Sequence, residues 1–316
     1  MVVNKIFFDR WDRLRSGWRL AMFLLLFVLL STGGALLASG LMTAFAVSPH
    51  TGSPSVFALN SFILLCSALG AGWLAGRLLE GLPFQALGAT PTARGIRNFV
   101  IGCAVGAVTV SLAVFIGFSF GGLRFQVDAA ASVGSIFTSA LIAFGIFAVA
   151  AAFEEALFRG FILQTFARSG LAWLAILLTS SFFGVAHLSN PNAGAISTVN
   201  TMIAGIWFGI AYLKTRDLWF VTGIHLMWNW MQGSVFGIEV SGLKELSKTP
   251  MMREVDYGPA WLTGGDYGVE GGIACTIAIV VSSILIRNWP QLVPTEEMRA
   301  FSEPPILKDR PHDAAI

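Results

Sequence analysis

The chain has 316 residues, 55% hydrophobic and 12% charged, with 26 Phe, 10 Trp and a formal net charge of +2. A mean hydropathy of +0.72 excludes an ordinary soluble domain and points to a polytopic membrane protein. The small net charge gives no reason to expect nucleic acid as a partner, and Cys66, Cys103 and Cys275 all sit in apolar runs, as small hydrophobes rather than a disulfide framework.

Residues 1–17 read as a charged, amphipathic lead-in lying on the inner membrane surface. No cleavable signal peptide is expected: the first apolar run is too long for its core, and no A-x-A-like site clearly ends it. Eight stretches are long or apolar enough to cross a bilayer, which takes about 20 helical residues: about 18–45, 56–79, 99–122, 133–158, 171–188, 194–215, 217–237 and 269–289. The fourth has the length to run on as one helix to about residue 168. None alternates as barrel strands do, so the expected fold is an all-α polytopic bundle of about eight transmembrane helices. A Pro/Gly-punctuated connection spans 80–98, and 238–268 is the sizeable extramembrane piece. The membrane domain covers 18–289, with a core at 133–237, and 290–316 reads as a loose cytoplasmic tail. Gly72/Gly76, Gly102/Gly106 and Gly205/Gly209 permit close helix approach.

With the N-terminus inside, sixteen Lys and Arg fall in inside segments, against Arg124, Lys244, Lys248 and Arg253 outside. That bias supports cytoplasmic termini.

Carboxylates inside a bilayer are costly, so those present are paired, protonated or functional. The deep ionisable residues are Glu154, Glu155, Arg159, His187 and His225, with Asn229 one turn after His225. Glu155 and Arg159 are i,i+4 in the favourable order for an ion pair, while Glu154 lies about 100° around the helix. His225/Asn229 and Phe183/His187 repeat the i,i+4 spacing. If a hairpin turns near Ser169–Gly170, Glu154 and His187 both lie roughly 24–26 Å from it and share a level. His225 reaches that level only if the hairpin projects about 12 Å beyond the turn before the seventh span. This geometry places the site within the membrane, nearer the cytoplasmic face and open to water there. Taken singly, Arg159 reads as a cytoplasmic anchor and His225 as part of a Trp219/Trp228/Trp230 belt, but two adjacent acids resist such a reading. His50 and His312 lie in a loop and the tail and are given no role.

Two carboxylates, two imidazoles and an amide are a kit for hydrolysis. A buried glutamate takes a proton from water, an imidazole shares that task, and a His/Asn pair on one helix face can stabilise an oxyanion. Glu and His are also zinc ligands, but H-E-x-x-H is absent from the sequence, as is a G-x-S-x-G serine motif. In order, "EEALFR" (154–159), "FGVAH" (183–187) and "HLMWN" (225–229) resemble the E-E-x-x-x-R, F-x-x-x-H and H-x-x-x-N motifs of the CAAX-protease and bacteriocin-processing (CPBP, or Abi) family. "LTGGDYGVEGG" (262–272) is similar to a recurring segment of bacterial members, and the resemblance covers about residues 60–289.

The resemblance implies an intramembrane endopeptidase with a site opening to the cytoplasm. By similarity Glu154 is the general base, helped by His187; His225 and Asn229 stabilise the oxyanion; Glu155 and Arg159 orient the site. The family has been described both as zinc enzymes, which would make Glu154, His187 and His225 the metal ligands, and as metal-free proteases. An amide is a poor zinc ligand and a good donor, so Asn229 favours the metal-free scheme. The expected partners are the bilayer and a membrane-associated or lipidated peptide or protein, and the short soluble loops suit a bacterial inner membrane. A non-catalytic chaperone or immunity-type protein is the competing reading. A proton-coupled transporter is weaker, for want of broken helices at related positions.

Overall fold

Capping residues set the helix boundaries in this computed structural model, which describes residues 6–9, 13–46, 53–243, 246 and 248–302. Helix α1 is Ser16–Ala44. Helix α2, Pro54–Glu80, has Pro at its first position, a Ser53 side chain capping Val56 N–H, and a left-handed Gly81 ending it. Thr92 caps α3, Ala93–Ile116, which continues as a π-helical turn to Gly121. Ser132 caps α4, which runs from Val133 through Glu155, a π-helical segment Ala156–Ile162 and a last stretch to Ala167. Helices α5 (Ala172–Ala186) and α6 (Ala195–Thr215) follow. Asp217 caps α7, Leu218–Trp230, which continues as a π-helix to Val235. Helices α8 (Ile273–Asn288) and α9 (Glu296–Ser302) close the chain.

Each predicted apolar stretch is thus helical. Among the described residues, five helices are long and apolar enough to cross a membrane: α1, α2, α3 to Gly121, α4 to Ala167, and α6. Helices α5 and α8 are apolar but shorter, at 15 and 16 residues. Leu36, Leu37, Phe137 and Leu141 are each more than 60% exposed, so these helices present apolar faces that a bilayer would cover.

The bundle is all-α as expected, with one short addition: Leu123–Gln126 (β1) and Arg253–Asp256 (β2) pair antiparallel, with Leu123 opposite Asp256, tying the α3–α4 connection to the long segment before α8. One expectation changes. Residues 290–302 are not a loose tail, because α9 returns to the bundle and buries Ser302 beside Gln164. The N-terminal segment falls partly outside the described residues, as do His50, His312 and 303–316.

The helices sort their ends into two sets. At one end Arg168 bonds Glu80, with Nη2 2.6 Å from its carboxylate, Arg19 pairs with the same Glu80, and Asn98 bonds Asp217. At the opposite end lie the β1–β2 pair, the bond from Asn190 to the Ser241 carbonyl, and those from Asn200 to the Glu270 and Gly272 carbonyls.

Helices α3 and α7 touch backbone to backbone, through Gly102, Gly106 and Gly223. A Cβ on Gly106 would lie 2.2 Å from the Ile224 carbonyl oxygen, one residue before His225. Gly106→Ala is therefore expected to cost about 1–3 kcal/mol by forcing the pair apart, lowering the unfolding temperature in detergent and reducing activity. Gly70→Ala, whose Cβ would meet only a Leu30 methyl at an ordinary 3.5 Å, should change neither and serves as the control.

Candidate functional site

Where α4 turns π-helical, Glu154 and Glu155 point to different places. Glu155 is wholly buried, as is Arg159 one turn on, and the two pair at 3.1 Å. The same Glu155 Oε1 lies 2.8 Å from His225 Nδ1 on α7. Arg159 also donates to the Gly205 carbonyl on α6 at 3.0 Å, and its guanidinium lies 5.1–5.6 Å from the ring centres of Phe158, Phe183 and Phe208. An ion pair out of water needs such supplementary bonds to hold. The arginine is therefore a buried tie between three helices rather than an interfacial anchor, which leaves the inside count of basic residues at fifteen.

Glu154 faces a cavity of about 220 Å³ together with His187, His225 and Asn229. Its side chain is 24% exposed, and Oε2 is buried without a hydrogen-bond partner, 3.7 Å from His225 Nε2. His187 contacts the Phe183 carbonyl through Nδ1 at 2.8 Å, and His225 contacts Glu155 through its own Nδ1. A carbonyl only accepts and a carboxylate accepts by preference, so both rings carry their proton on Nδ1, leaving the Nε2 atoms for chemistry. Phe208 stacks on His225, centres 4.7 Å apart at 20°, and Phe183 packs against both imidazoles. Every site residue expected from the sequence thus belongs to one constellation: Glu154, His187, His225 and Asn229 line the cavity; Glu155, Arg159 and Phe183 hold it.

His225 comes level with Glu154, its Nε2 3.7 Å from Oε2. Gly160 sits beside Leu218, the first residue of α7, and α4 runs on to Ala167, so the hairpin projects about 10 Å past that turn. The loop residues on the cavity gather at one end of the bundle. Phe57, Asn190, Ser241, Leu243 and Glu270 line the cavity from the end that carries the β1–β2 pair, opposite the Arg19–Glu80–Arg168 cluster. The arithmetic placed Glu154 24 Å from the hairpin, which is nearly the full length of α5 and thus close to its far end.

Sequence reasoning missed Glu270. It accepts from Trp228 Nε1 at 3.0 Å and from the Ser241 N–H and hydroxyl at 2.7 Å, pinning the backbone around Ser241 and Glu270 over the cavity. Burial, and then the Glu270 carboxylate, push the nearby Tyr267 phenol up to about 12, so it stays neutral in this mouth region. The quoted "GGDYGVEGG" contained both residues, but nothing local in it says that the segment folds back.

Among the described residues, no three His, Cys, Asp or Glu side chains are arranged to hold a metal ion. Glu154, His187 and His225 share a cavity without converging as ligands.

Residues 136–231 match the family model described as Rce1-like, type II CAAX prenyl endopeptidase Rce1-like. That stretch contains all seven expected site residues and bears out the family resemblance read from the three motifs. No curated protein matches the chain. The apolar helices and this match together identify an integral membrane protein.

Proposed function

We propose that the chain, which carries the Rce1-like CAAX-protease helices, is an intramembrane endopeptidase cleaving membrane-associated or lipidated proteins or peptides with activated water. The observation that carries this reading is the shared cavity. It presents a carboxylate with spare acceptor capacity, Glu154, beside two imidazoles and an amide, above a buried pair that fixes their positions.

In this scheme Glu154 takes a proton from a water molecule as its oxygen attacks the scissile carbonyl carbon, with His187 Nε2 orienting that water. The carbonyl π electrons move onto its oxygen, and Asn229 donates to the oxyanion. His225 Nε2 can donate there only in the doubly protonated ring, because Nδ1–H is already given to Glu155. When the tetrahedral intermediate collapses, the C–N bond breaks and Glu154 returns its proton to the amine. Phe183 and Phe208 wall the imidazoles and exclude bulk water, which strengthens each of these interactions. The side chains do not fit zinc as a ready ligand set, so no step is routed through it.

Purified, detergent-solubilised protein is expected to cleave peptides while holding far less than one zinc per chain by elemental analysis, and to keep its activity in chelator. Absence of any cleavage defeats the peptidase reading. Stoichiometric zinc that leaves together with activity defeats the metal-free scheme alone.

A further inference from the structure

We infer that this peptidase receives its substrate from the extracytoplasmic side, as a translocated apolar peptide or the outer end of a membrane-inserted segment. The inference rests on the proposed hydrolytic reading and adds a direction to it.

Two observations carry it. The first is that the cavity has one end. Its floor is Glu154 and His225, and below the floor all ten residues from Arg159 to Arg168 are buried. There Phe161 stacks on Phe23 of α1, Gln164 bonds Tyr212 and the Ala86 carbonyl, and Arg168 closes the far end on Glu80. These buried side chains fill the space between Glu154 and the basic end. The loop residues that line the cavity, Asn190, Ser241, Leu243 and Glu270, all come from the other end, as does Phe57 from the first turn of α2.

The second observation is charge. Among the described residues, eleven Lys and Arg outside the site fall at the closed end, against Arg124, Lys248 and Arg253 at the open one. Basic segments stay in the cytoplasm, which turns the mouth outward. Phe57, Phe147, Trp228, Val240 and Leu243 give the cavity apolar walls, suited to an extended apolar peptide rather than a charged one.

The test uses the full chain in a bacterial host, with Cys66, Cys103 and Cys275 replaced and a single cysteine at Tyr257→Cys or Gln291→Cys. Tyr257 is 75% exposed beside β2 at the mouth, and Gln291 is exposed at the closed end. A membrane-impermeant maleimide should label position 257 in spheroplasts and position 291 only after lysis; the reverse pattern overturns the inference. Should the cysteine-free background fail to fold, trypsin on spheroplasts carrying the unaltered protein decides. Cutting after Lys248 supports the inference, and cutting after Arg299 alone overturns it. Proteoliposomes sorted by orientation should cleave an impermeant peptide only with the 257 face outward. If the protein cleaves nothing even in detergent, the peptidase reading fails, while labelling still reports which way the mouth points.

Discussion

Glu154→Gln should lower peptide cleavage by about 10³-fold, the middle of the range for loss of a general base, and leave the unfolding temperature in detergent nearly unchanged. The carboxylate is 24% exposed and its Oε2 has no hydrogen-bond partner, so a neutral isostere disturbs little of the packing. What it removes is the atom that accepts the proton from water. His187→Ala should also impair cleavage, and the double variant should be no worse than Glu154→Gln, since both act on one water. Cleavage persisting in Glu154→Gln would remove the acid from the mechanism. A biological effect that survives in both single variants, without cleavage, would favour the binding-only reading.

Arg159→Met should have the largest effect on stability, about 3–5 kcal/mol, because it leaves the buried Glu155 charge without its cation, held by His225 Nδ1–H alone. It also removes the bond to the Gly205 carbonyl and the cation from three aromatic faces. Calorimetry in detergent should show a fall of many degrees. The double variant Glu155→Leu/Arg159→Met should regain most of that stability, since two apolar side chains of similar size need no partners. It should nonetheless stay inactive, because His225 Nδ1 then has no carboxylate to hold the ring. If Arg159→Met unfolds like the native chain, the buried tie between α4, α6 and the aromatic cluster is wrong.

Reading the site from the sequence succeeded where the chemistry is local to one helix. The i,i+4 rule brought Glu155 to Arg159 and Phe183 to His187, because helical rise and twist alone put those side chains together. It was silent on Glu155 against His225, two residues 70 positions apart whose meeting depends on how α4 and α7 cross. Gly102 and Gly106 are legible as a pair that permits close approach, but their partner is not. With Gly223 they set the α3–α7 contact, and so the position of His225. Three π-helical segments also escaped notice, including the one immediately after the glutamates. Nothing in residue types distinguishes a π turn from an α turn when neighbouring helices impose it.

The sequence by itself determined that this is a membrane bundle, where its apolar helices run, which faces are basic, and which six residues are out of place in lipid. Those follow from transfer free energies and helix periodicity, which each segment carries alone. Only the tertiary structure decided which glutamate faces the cavity, that His225 lies between both acids, and that Glu270 pins a lid of loop over the site. It also decided that the cavity opens away from the basic end. Such outcomes depend on which side chains fill the space between helices, and packing of that kind is a property of the assembled bundle and of no single stretch of chain.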